Sequence, residues 1–109
     1  MASAQVEQLM GELSVVGLTE AHARRLAFCA LAHRRGWTPA QIARWLGISR
    51  QRAGQKVDQL REYAESRPMP CLRRLLHPAP SCPVLLGVGF TSAHWDDPEF
   101  AYGVLELLA

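Results

Sequence analysis

The chain has no apolar run near the roughly 20 residues that a membrane-spanning helix needs, and its N-terminus shows no basic stretch followed by an apolar one. A cytoplasmic protein with no membrane partner is the expectation. Cysteine is scarce and odd in number, three in 109 residues, which argues against a disulfide framework and suits reduced thiols. Catalytic signatures are missing: there is no Gly-x-Ser-x-Gly elbow, no phosphate loop ending in Gly-Lys-Ser/Thr and no His-Glu-x-x-His. No enzyme and no cofactor are expected. Metal-ligand spacing is poor as well, since Cys71, His77, Cys82 and His94 supply atoms suited to tetrahedral zinc but form no closely spaced Cys or His pair. Small buried thiols account for Cys71 and Cys82 more simply. Asp96, Asp97 and Glu99 read as caps that complement a helix dipole rather than as a cation site. Lysine is almost absent, with Lys56 alone beside eleven arginines.

The charge that is present lies unevenly. The net charge is only +2, yet residues 24–74 hold all twelve basic residues against Asp58, Glu62 and Glu65. Glu7, Glu12 and Glu20 precede that block, and Asp96, Asp97, Glu99 and Glu106 follow it. A basic block of this kind attracts polyanions over long range and makes their binding fall steeply with salt. Arginine, with its planar fork, favours bidentate contacts to phosphate and guanine.

With 49% hydrophobic residues the chain can bury one core, and its periodicity is mainly helical. Ser3 caps a helix over 4–16 whose face is Val6, Leu9, Met10 and Leu13, and Gly17 ends it. Thr19 caps a second helix through Arg35. The middle of that helix, residues 26–32, is apolar all round, which places it at the centre of the fold. Arg34 and Arg35 suit the negative end of its dipole, and Gly36 breaks it. After residue 66 a short helix over 71–77 turns Leu72, Leu75 and Leu76 inward. Pro78, Pro80 and Pro83 then mark a connector, residues 84–90 read as a strand, and Asp97 and Pro98 start a last helix with Phe100, Ala101, Val104, Leu105 and Leu108 on one face. A lone strand needs a partner for its backbone groups. Residues 67–109 are therefore expected to serve as a dimerisation element, giving a homodimer, or as packing on the domain's own helices.

Residues 37–60 form two short helices joined by a tight turn. Thr38 can cap, Pro39 suits the first helical position, and Gln41 completes a capping box, with Trp37 and Ile42 at the positions of a hydrophobic staple. Trp45 reads as core. Gly47 stands where a left-handed backbone is cheapest for a residue without Cβ, and Ile48 plugs the angle between the helices. Ser49 caps the second helix, in which Ala53, Val57, Leu60 and Ala64 recur at helical spacing and face the core. That stripe turns Gln51 and Gln55 outward, flanked by Arg50, Arg52 and Gly54. Arg can pair with guanine and Gln with adenine in the major groove, each good pair discriminating by about 1–3 kcal/mol. Asp58 and Glu62 continue the outward line, where carboxylates would repel phosphates, so the base-reading part ends near Gln55.

Gly-Ile-Ser-Arg-Gln-Arg-Ala-Gly-Gln at 47–55 is similar to the DNA-reading helix of bacterial sigma factor region four, and the segment as a whole resembles the helix-turn-helix superfamily. The likeness covers about a quarter of the chain, which is too short for a complete sigma factor. It implies recognition of double-stranded DNA through Ser49, Arg50, Gln51, Arg52 and Gln55. The family usually has an apolar residue where Lys56 stands, and here Val57 takes over that packing.

The expected protein is thus a mainly α, compact bundle, with a helix-turn-helix domain over 1–66 (motif 38–64) and a C-terminal strand and helix within 67–109. It acts as a small transcriptional regulator, with Thr38 and Arg44 holding the DNA backbone and Lys56 and Arg61 adding charge. Two alternatives stand beside it: an architectural DNA-binding factor of phage-type recombination or packaging, and a module that docks on RNA polymerase through the acidic C-terminal third.

Overall fold

Thr19, Thr38 and Ser49 each start a helix with the same bond, a side-chain oxygen accepting from the backbone amide three residues on: His22 at 3.3 Å, Gln41 at 3.3 Å and Arg52 at 3.2 Å. Such caps satisfy amides that the helix leaves orphaned and are typically worth about 1 kcal/mol. The computed structural model describes residues 4–76 and 95–108, and these form six helices. They are α1 (Ala4–Ser14), α2 (Glu20–Arg34), α3 (Pro39–Leu46), α4 (Arg50–Ser66), α5 (Pro70–Leu75) and α6 (Pro98–Leu108). The mainly helical expectation holds. The strand expected over 84–90 lies outside the described residues, as do His77, Cys82 and His94 of the zinc set.

α2 is the central element and touches all five other helices. From Ala23 to Ala32 every residue except Arg25 is buried, so the all-round apolar stretch does what its composition requires. α1 lays Val6, Leu9 and Leu13 against this core, and α4 adds Ala53, Val57, Leu60 and Ala64, the stripe predicted from spacing. An aromatic group ties the interior together, with the Phe28 ring 5.7 Å from Trp37, 6.3 Å from Trp45 and 4.7 Å from Trp95 between centroids.

Two helices end the same way. Gly36 and Gly47 take positive φ of 83° and 68°, and the following amides, Trp37 and Ile48, reach back five residues to the carbonyls of Ala32 and Ala43 at 3.0 and 3.1 Å. A side chain at either glycine would strain the left-handed turn. The capping box at α3 is complete, because Gln41 Oε1 also accepts from the Thr38 amide at 2.8 Å.

α5 is shorter than expected, and its cap comes from elsewhere. Met69 at its N-cap offers no side-chain hydrogen bond. Instead the Glu12 carboxylate of α1 accepts from the amides of Cys71 at 2.9 Å and Leu72 at 3.0 Å, closing a helix start about 60 residues away in sequence. Bonds of this kind to a charged acceptor contribute about 1.5–3 kcal/mol each. Cys71 is buried, with its thiol pushed up by that burial, and among the described residues no three His, Cys, Asp or Glu side chains converge on a metal-sized space.

Part of the apolar face expected on the last helix packs within the chain. Ala101, Val104 and Leu105 are buried, and α6 packs on α2. Its apolar stripe is a packing element of this core, because α2 offers the nearest apolar surface and needs cover on that side. No helix among the described residues is long and apolar enough to cross a membrane.

Candidate nucleic-acid interface

The turn Gly47–Ile48–Ser49 sets α4 against α3, and burial of Ile42, Ala43 and Leu46 on one helix and Ala53 and Val57 on the other fixes which faces meet. The remaining side of α4 is left to solvent: Ser49, Arg50, Gln51, Arg52 and Gln55 are all exposed, as are Thr38 and Arg44 on the α3 side. Val57 is buried and Lys56 is half-buried, as the sequence pattern requires. Trp45 is partly buried and packs against the core.

Part of the basic block is engaged inside the molecule. Arg24 is 4% exposed and works as an internal clamp, its guanidinium 3.1 Å from Glu20 and donating at 3.4 Å to the carbonyls of Trp95 and Asp96. Arg25 pairs with Asp96 at 3.0 Å. Arg35, the C-cap residue of α2, donates through Nε to the Leu108 carbonyl at 2.8 Å, so its side chain also closes the end of α6. Arg73 donates to the carbonyls of Ala64 and Arg67, and Arg61 faces Asp58 at 3.8 Å. Among the described residues no ion pair engages Arg44, Arg50 or Arg52. These three sit on the α3–turn–α4 pair, while Arg34, Arg67 and Arg74, away from that turn, likewise make no ion pair among the described residues. Sequence reasoning missed the clamp made by Arg24, Arg25 and Arg35, because apart from Glu20, one turn before Arg24, their acceptors lie about 70 residues away.

Thr38 and Ser49 have a structural duty as well as exposure. The Thr38 hydroxyl accepts from the Gln41 amide and lies 3.3 Å from Gln41 Oε1, and the Ser49 oxygen accepts from the Arg52 amide. Gly54 is interior to α4, where glycine costs about 1 kcal/mol relative to Ala. A Cβ there would meet nothing within 4 Å, so no internal packing requires the glycine. It opens onto a notch of about 290 Å³ lined by His33, Trp37, Pro39, Ile42, Val57, Asp58 and Arg61.

His22 and His33 of α2 both hold their imidazoles below the ordinary pKa of 6.5, first through burial and then through cations, Lys56 and Arg25 for His22 and Arg61 for His33. The Nε2 of each is buried without a hydrogen-bond partner among the described residues. The unfolded chain takes up these protons near pH 6.5 and the folded chain only at lower pH, so below about 6.5 the unfolded state binds more protons. Stability is thus expected to fall as pH drops through 6.5, with a lower melting temperature at pH 5 than at pH 7.5. The double substitution His22→Gln and His33→Gln should flatten that slope in thermal scans, and an unchanged slope would assign the acid sensitivity to carboxylates.

Compared with known proteins, the chain matches no family model, no curated protein and no solved structure.

Proposed function

We propose that the protein binds double-stranded DNA through a helix-turn-helix made of α3 and α4, and that it acts as a small sequence-specific transcriptional regulator. One observation carries this reading. Arg50 and Arg52 stand exposed in the first turn of α4, the positive end of its dipole, with no acidic residue in that turn and, among the described residues, no ion pair to either. Cations there oppose the dipole by about 0.3–1 kcal/mol each, whereas an anion at the same place is favoured by both the dipole and the guanidiniums. A sequence that breaks a local stability rule at an exposed helix start is consistent with an external polyanion, and the neighbouring Gln51 and Gln55 carry the donor and acceptor pair suited to adenine.

In this reading Ser49, Arg50, Gln51, Arg52 and Gln55 meet base edges or adjacent phosphates. Thr38 and Arg44 approach the backbone, and Lys56 and Arg61 raise the local potential. Gly54 keeps the flank of α4 low where the duplex backbone would pass. Selection of bound duplexes from a random pool at low salt tests the assignment. The expected result is a short enriched motif containing guanine and adenine, with affinity falling steeply between 50 and 200 mM salt. Absence of enrichment together with absence of duplex binding at low salt would overturn it.

A further inference from the structure

α1 and α6 both pack on α2, and a trough of about 700 Å³ lies between them. Met10 of α1 and Tyr102 and Gly103 of α6 form its apolar floor and wall, and Glu7, Glu99 and Glu106 stand around it, all three exposed. Neither helix contains a lysine or an arginine. Leu107, one turn beyond Gly103, is 79% exposed.

Gly103 is the informative residue. It sits inside a helix, where glycine is unfavourable, yet a Cβ there would meet nothing within 4 Å. The chain's own packing gives no reason for it, and its effect is to keep the trough floor low enough for another backbone or a large side chain to approach. An apolar strip between two helices, edged by carboxylates, suits a partner helix with an apolar face and flanking cations.

We infer that the α1–α6 trough docks a basic amphipathic helix of a partner protein, its apolar residues over Met10, Tyr102 and Gly103 and its lysines or arginines beside Glu7, Glu99 and Glu106. Charge complementarity selects this occupant. An acidic or neutral helix would fill the same apolar strip without satisfying the three carboxylates. The inference goes beyond DNA reading and stands or falls without it, because the trough uses none of the residues assigned to DNA.

The probes are a synthetic amphipathic helix of leucine and lysine and its counterpart with glutamate in place of lysine, titrated into the full chain by calorimetry. The lysine peptide is expected to bind, the glutamate peptide not. Gly103→Trp, which fills the floor and leaves every charge in place, should weaken binding at least about tenfold, or 1.4 kcal/mol. The triple substitution Glu7→Lys, Glu99→Lys, Glu106→Lys alters only exposed side chains and should reverse the preference between the two peptides. Circular dichroism of both variants reports their folding, and the triple variant alone decides should Gly103→Trp not fold. Equal affinity for the two peptides, or a lysine peptide that ignores the variants, overturns the inference. So does a wild-type mass in sedimentation that rises with concentration while that of Gly103→Trp does not, since the occupant would then be a second copy of the chain.

Discussion

Trp95→Ala is expected to lower the unfolding free energy by about 3–5 kcal/mol, the range for truncating a large aromatic in a packed core. Trp95 is fully buried, its ring lies 4.7 Å from Phe28 and 5.4 Å from Phe100, and its Nε1 donates to the Trp45 carbonyl at 2.9 Å. One side chain thus joins the C-terminal segment to α2, to α6 and to the last turn of α3. Against the 5–15 kcal/mol typical of a whole domain this is a large fraction, corresponding to a fall in melting temperature of roughly 15–30 °C. Trp95→Phe separates the two contributions. It keeps most of the apolar bulk but removes the Nε1 hydrogen bond to the Trp45 carbonyl, a loss of about 0.5–1.5 kcal/mol. Thermal and urea unfolding of the pair should give the order wild type, Trp95→Phe, Trp95→Ala. A Trp95→Ala protein as stable as wild type would mean that residues 95–108 do not belong to the core.

The second large effect concerns binding. Under the proposed function, replacing Gln51 and Arg52 together with alanine removes two base-reading side chains, each good pair being worth about 1–3 kcal/mol of discrimination. Preference for the selected site over random duplex should fall by about 30-fold to 10⁴-fold. Weak, salt-sensitive binding should remain, because Arg44, Arg50 and Lys56 still offer charge. The fold should be unaffected: both residues are exposed, and loss of Arg52 from the positive end of α4 relieves an unfavourable interaction. Lost discrimination with equal or slightly raised stability is a signature that a structural role for these side chains cannot produce. Discrimination that survives the double change would place base reading elsewhere.

The reliability of the local reading follows from the range of the forces involved. Thr38, Gln41 and Ser49 act on amides three residues away, and Gly36 and Gly47 act on their own φ, so each could be recognised in a short window. The all-round apolar middle of α2 needs no knowledge of its neighbours to be placed inside. The α6 face was equally legible, but its destination was not. An apolar stripe states only that it must be covered, and within the chain α2 covers Ala101, Val104 and Leu105 of it.

What the sequence by itself determined, then, is the set of helices, their caps, the central position of α2 and the stripe of α4 that turns inward. Only the tertiary structure decided which cations are available. Arg24, Arg25 and Arg35 are as basic as Arg44, Arg50 and Arg52, but the first three bind carbonyls and a carboxylate of the C-terminal segment while none of the last three is ion-paired among the described residues. The same holds for Glu12, whose partners Cys71 and Leu72 lie on another helix. Helix starts are set by bonds that span a turn, whereas the availability of a long charged side chain depends on whichever acceptor folding brings within about 3 Å of it.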